Sequence, residues 1–432
     1  MPANHTDPLD RPQAGCDRSA PSFPRRLLLM LIATLVLVPE VRADLCSLDR
    51  RWVDANERRL RIATFNVALF RAEAGQLLAE LRQPAREVNA QARAVAEILQ
   101  RVRPDVVLLN EFDYDPGAAA LAAFEENLLA FSQNQQPPLR YRYRYSAPSN
   151  TGMLSGVDLN GDGRVALPDD GLGYGRFPGQ YAMAVLSMFP IDRQRVRTFQ
   201  TFLWQDMPNA RLPRDYYGPA VQQRLRLSSK SHWDLPLVVD GVRVHLLASH
   251  PTPPGFDGPE DRNGRRNADE NRLWLDYVSN NAAYLYDDRG DFGGLGDNPR
   301  FVIAGDLNAD PFDGDDGDDG GASANQLLGS ALIQPQPVPR SSGGREDSVR
   351  EGGANATHRG DPATDTADFN PAGIGNLRID YLLPSRSGLR THCSAVFWPA
   401  REDSLRRLVG DGDPVVSSDH RLVWLDLEIV GR

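Results

Sequence analysis

The strongest constraint on this chain is a series of short apolar runs, most of them closed by a polar residue at the C-terminal end. Asn66 ends the run Ile-Ala-Thr-Phe-Asn, and Glu111 follows Val106-Val107-Leu108-Leu109. His250 closes Val-His-Leu-Leu-Ala-Ser-His, and Asp306 and Asn308 stand in Gly-Asp-Leu-Asn. Asp380 lies in Arg-Ile-Asp-Tyr, and Asp419 and His420 in Val-Ser-Ser-Asp-His. Apolar runs this short read as buried strands. A strand fixes the backbone while its end reaches solvent, so polar strand ends are where a sheet protein builds a site. Asn, Glu, Asp and His together can bind a hard cation and move protons.

Between these runs the pattern changes period. Residues 86–103 read as an amphipathic helix with Val88, Val95, Leu99 and Val102 on one face, stopped by Pro104. Further strands are expected at 182–187, 235–240, 242–249, 301–304, 377–383, 395–398 and 422–429. Asp240-Gly241 is a hairpin turn between two of them. A second helix is expected within 267–286, with Leu273, Trp274, Tyr277 and Val278 buried. Strand, helix and strand in succession indicate an α/β layered fold. Two stretches, 146–180 and 311–375, are rich in Gly and Asp or in Gly, Ser, Pro and Asp. They read as insertions, and a long segment of that composition is expected to be a mobile or ligand-ordered loop.

The ordered polar series resembles the endonuclease/exonuclease/phosphatase superfamily from about Arg61 to Glu428. Its members include deoxyribonucleases, abasic-site endonucleases, inositol-polyphosphate 5-phosphatases and bacterial sphingomyelinases. The resemblance implies a four-layer α/β/β/α sandwich: two mainly antiparallel sheets face to face, with helices outside. It implies Asn66 and Glu111 as ligands of a catalytic Mg²⁺ or Mn²⁺, joined by Asp419. It implies that Asp306 orients a water, that Asn308 donates to phosphate, and that Asp380 holds His420 in one tautomer. His250 is the second histidine, with a carboxylate partner that the sequence does not identify. Asp306 and the Asp380–His420 pair both stand as candidates for the base. Asn110 departs from the pattern, since many members have glutamine there.

A different constellation lies in the first insertion. Asp158, Asn160 and Asp162, with the Arg164 carbonyl and Asp169, match positions 1, 3, 5, 7 and 12 of an EF-hand-like calcium loop. The competing reading is a Gly/Asp-rich turn with no ion.

Residues 1–43 read as a signal peptide with a long n-region. Arg25 and Arg26 precede an apolar run from Leu27 to Val38, and Val41-Arg42-Ala43 gives small residues for cleavage. That run is too short for a stable membrane span, so export to the periplasm or beyond is expected. Residues 44–60 form a charged lead-in, and 61–432 form the phosphoesterase domain. Export makes Cys46 and Cys393 a candidate disulfide. The net charge is −10, and Lys230 is the sole lysine. This balance argues against nonspecific binding along nucleic acid, which needs a basic surface.

The expected function is therefore hydrolysis of a phosphate ester by an exported, divalent-metal-dependent enzyme. A secreted nuclease and a sphingomyelinase-like phospholipase C are the alternatives, with nucleic acid the main other substrate. Outside enzymes, a calcium-dependent binding protein or an inactive scaffold competes, but the complete set of polar strand ends opposes it.

Overall fold

A computed structural model describes residues 46, 48, 59–84, 87–314, 322–412 and 414–431. The expected signal segment lies outside these residues, as does most of the lead-in.

Among the described residues, eleven strands form two sheets. The first sheet contains β1 (Arg59–Leu69), β2 (Val106–Phe112), β3 (Tyr143–Tyr145) and β4 (Met183–Ser187). Two later strands of that sheet are separated from these in sequence by β5 (Arg197–Thr198), β6 (Trp233–Val239), β7 (Val242–Ala248), β8 (Phe301–Asp306) and β9 (Asp380–Pro384). They are β10 (Leu389–Val396) and β11 (Val423–Ile429). The order is β10-β11-β1-β2-β4-β3 in one sheet and β5-β6-β7-β8-β9 in the other. Only β1 with β2 and β7 with β8 pair in parallel.

Alternation along β8 shows the layering. Val302 and Ala304 join the core shared with the first sheet, whereas Phe301 and Ile303 join a second core. That second core includes Leu273, Trp274 and Tyr277 of the helix Arg262–Val278. On the far side of the first sheet, Val95, Leu99 and Val102 of the helix Ala90–Val102 fill the outer layer. Each fully buried Leu or Val contributes roughly 1.5–3 kcal/mol. The fold is the expected α/β/β/α sandwich. Strands buried on both faces explain why β1 and β2 read as continuous apolar runs rather than alternating ones.

The hairpin turn is as expected: Asp240 and Gly241 have φ 48° and 79° between β6 and β7, the backbone a type I′ turn requires. Three expectations shift. The second helix starts earlier and ends earlier than 267–286, at Arg262–Val278. The Asp257 carboxylate accepts from the Asn263 N–H at its start, and Asn280 at φ 61° turns the chain away beyond its end. The strand expected at 395–398 is the end of the longer β10. Its first half alternates exposed and half-buried residues at the edge of the sheet, so it lacks an apolar run.

The stretch 311–375 is not one loop. Its described part holds the helices Ala322–Leu328 and Ser342–Glu351. The second is anchored by Asp347, which accepts from Trp398 Nε1 at 2.7 Å and from Arg406 at 2.6 Å. Propensity gave no sign of that helix because its polar residues are held by distant partners.

Cys46 and Cys393 form a disulfide, with Cα atoms 5.1 Å apart. A disulfide fits an oxidising compartment. No helix among the described residues is long and apolar enough to cross a membrane.

Candidate active site

Strand direction brings the polar ends to one rim. Asn66 pairs across the parallel β1–β2 ladder with Asn110, the neighbour of Glu111. Asp306 at the end of β8 pairs with Asp380 at the start of β9. His420 precedes β11, which runs antiparallel to β1 and starts opposite Thr64. The Asn66 amide donates to Asp306 at 3.0 Å and lies 3.5 Å from His420 Nε2. His420 Nδ1 meets Asp380 Oδ2 at 2.9 Å, which leaves Nε2 facing Asp306 Oδ2 at 3.7 Å. His250 Nε2 is 3.4 Å from the same Asp306 oxygen. The partner that the sequence left unnamed for His250 is therefore Asp306.

Asn308 sits at φ 49°, and its N–H donates to Asp306 Oδ1 at 3.0 Å. This is the Asx turn that competes with a functional role; its side-chain amide donates to the Pro251 carbonyl at 3.1 Å. Glu111 stands at φ 56°, an uncommon backbone for a non-glycine residue. Its carboxylate draws no hydrogen bond from the described residues.

The electrostatics divide these groups. Burial works against charge on His420, but Asp380 and Asp306 outweigh it and hold the imidazole well above its ordinary range. Burial, then the positive charges of Lys230 and His420, push His250 well below it. The surroundings thus favour charge on His420 and disfavour it on His250. Burial raises Asp306 to about 6, with Asp380 adding to it and His420 opposing. Glu111 is pushed up to about 7, first by burial and further by Asp419 and Asp306, against His420 and Lys230. Crowded oxygen donors with Glu111 unsatisfied fit a hard divalent cation. The ligand atoms of Asp306, Asp380 and His420 also lie within 4.8 Å of one another.

Residues 63–420 match the model of the "Endonuclease/Exonuclease/phosphatase family". The chain belongs to this family. Its members are metal-dependent phosphoesterases. No curated protein sequence matches significantly. Among solved structures, the chain is similar to an endonuclease/exonuclease/phosphatase from Beutenbergia cavernae (19% identity, 87% of this chain and 72% of that one, TM-score 0.46). It is also similar to sphingomyelinase C from Streptomyces griseocarneus (17%, 85% and 99%, 0.42). A third is a mutant beta toxin from Staphylococcus aureus with bound magnesium ions (13%, 85% and 98%, 0.43).

Several residues that build the site in this family member gave no sequence signal. Asn110, the departure from the family pattern, ties the two sheets together. Its Oδ1 accepts from the Asp306 N–H at 3.2 Å, and its amide donates to the Ser249 carbonyl at 3.3 Å. Thr366 Oγ1 donates to Asp380 Oδ2 at 2.8 Å and accepts from the Asp380 N–H at 2.9 Å. The helix Arg262–Val278 fastens three loops. Glu270 accepts from the N–H groups of Ser229 and Thr252 at 2.7 and 2.6 Å, and Asn267 donates to the carbonyls of Thr252 and Leu307. Glu270 and Asn267 continue the face of Leu273, Trp274 and Tyr277 towards the start of the helix, and only the fold shows that this polar continuation of the stripe is buried as well.

The calcium-loop residues are bound to one another through backbone N–H groups. Asp158 accepts from the N–H groups of Gly161 and Gly163, Asn160 from Asp162, and Asp162 from Arg164. Asp170, rather than Asp169, closes the loop, accepting from Leu159 and Ala166 at 2.6 and 2.8 Å. No three carboxylates of this loop come within 4.8 Å of one another. Asp169 is exposed because the buried neighbour makes the closing contacts.

Proposed function

We propose that the chain is an exported, divalent-metal-dependent hydrolase of phosphate esters. The observation that carries this reading is the convergence of Glu111, Asp306, Asp380 and His420 from four strands of two sheets. Asn66, Glu111 and Asp419 would hold Mg²⁺ or Mn²⁺, which when bound neutralises phosphate charge and favours attack by water. Asp306 orients that water. His420, kept protonated by Asp380, faces the phosphate and stabilises the charge that develops there. Neutral His250 turns Nε2 to Asp306 and fixes its orientation. Asn308 would donate its side-chain amide to a phosphate oxygen. The disulfide supports export.

Calcium at Asp158, Asn160, Asp162, Arg164 and Asp169 is a separate part of the proposal, supported by the spacing alone. A calcium-induced rise in melting temperature that Asp158→Ala with Asp162→Ala abolishes would support it.

Hydrolysis of bis-p-nitrophenyl phosphate after chelation and reconstitution with Mg²⁺ tests the main reading. Turnover should vanish on chelation and return with metal. Full activity in Asp306→Ala under the same conditions would sink it.

A further inference from the structure

One cavity of about 560 Å³ opens on the rim. Glu111, Lys230 and His250 line its inner end, while Tyr174, Tyr181, Tyr217 and Phe256 line its length. The polar end belongs to the site above. The aromatic part comes from segments that the family motifs do not include: the insertion 146–180 and the loops around 217 and 256.

The walls are held in place. Glu270 fixes the loop after His250 through the Thr252 N–H, and buried Asp170 fixes the insertion. Phe256 is 92% exposed and Tyr174 is 59% exposed, so both rings are open to a ligand that enters the cavity.

Charge is distributed unevenly along the cavity. Its two arginines are already engaged. Arg266 donates to the carbonyls of Leu227 and Leu172 at 2.8 and 2.7 Å, and Arg262 pairs with Glu260. Both guanidinium groups thus already hold protein oxygens. Lys230, the sole lysine, is 7% exposed, and its ammonium makes one long contact of 3.4 Å to the Pro251 carbonyl. It is the cation left for a phosphate at the inner end.

From this geometry we infer that the cavity binds the organic group of a small phosphate ester bearing an aromatic ring, with phosphorus beside Glu111 and Lys230. The inference rests on the hydrolase reading for where phosphorus sits. The volume falls in the range of small-molecule sites, roughly 300–1,000 Å³. A duplex would need a basic track along its backbone instead.

The test is calorimetric binding of two non-hydrolysable phosphonates in Mg²⁺, naphthylmethylphosphonate and methylphosphonate. Wild-type protein should bind the aromatic one at least about tenfold more tightly, the effect of burying one ring. Tyr174→Ala with Phe256→Ala should reduce that ratio to about twofold and leave methylphosphonate affinity unchanged. Both side chains are exposed, so the variant should keep its melting temperature. Equal affinities in wild type, no binding of either ligand, or an intact ratio in the variant would each overturn the inference. Turnover of bis-p-nitrophenyl phosphate is measured in parallel. If turnover is absent and the tenfold ratio persists, the hydrolase reading fails and the aromatic subsite stands.

Discussion

Two buried charged clusters lie towards opposite ends of β1 and differ in one respect. At the start of β1, Arg61 meets Asp426 of β11 through two contacts, 2.7 and 2.8 Å, and donates to the Val102 carbonyl at 2.8 Å. Near the other end of β1, Asn66, Asp306, Asp380 and His420 are equally buried. There, His250 Nδ1 and Asp380 Oδ1 have no hydrogen-bond partner, and Glu111 is held in a strained backbone. The first cluster is a satisfied bidentate pair, as stability requires. The second leaves polar atoms unsatisfied in a low-dielectric setting, which is costly unless a ligand completes it. Burial alone does not separate structure from function; satisfaction does.

The sharpest way to break this contrast is to cut each cluster once. His420→Ala should lower turnover of bis-p-nitrophenyl phosphate by about 10³-fold or more in protein that is still folded, beyond any stability lost by leaving Asp380 without its buried partner. Asp426→Ala should leave turnover unchanged. It strands Arg61 as a buried charge and should cost about 3–5 kcal/mol of stability with kcat intact at low temperature. If both variants lost activity in proportion to stability, the two clusters would not be distinct in kind.

The disulfide sharpens the structural side. Cys46→Ser with Cys393→Ser opens a link across 347 residues beside the Arg61–Asp426 pair. It should cost about 2–5 kcal/mol, read from denaturant unfolding, with no change in kcat. An unchanged midpoint would mean that the pair and the sheet hold this end alone.

A third buried group tests the comparison through pH. Asp365 is pushed up to about 9, by burial first and then by Asp310 and Asp313. The folded state therefore keeps a proton that the unfolded chain releases above about pH 4. This contribution makes stability fall as pH rises from about 4 to about 9, and the loss is absent below that window. Asp365→Asn should flatten this slope in melting temperature; an unaltered slope would place its origin in other groups.

Asn66, Glu111, His250 and Asp306 were legible because each follows an apolar run, which is a local pattern, whereas Asp380 and His420 stand at the start of β9 and before β11 and were legible through the family resemblance. The calcium spacing was equally legible in sequence. Its residues hold the loop through backbone N–H groups, and Asp170 adds contacts that the spacing did not point to. Asn110, Thr366 and Glu270 were not legible. Each acts through a partner far away in sequence, and an isolated polar residue looks the same whether it is solvated or braces a site.

By itself the sequence determined the layered α/β class, the order of the site residues and the sulfur pair. Periodicity, strand-end placement and cysteine count are local properties, written in neighbouring residues. Tertiary structure alone decided that His250 shares Asp306 with His420, that Asn110 joins the two sheets, and that aromatic residues from three loops line one cavity. Those facts depend on which strand ends meet in space, and the hydrophobic packing that brings them together is spread over the whole chain.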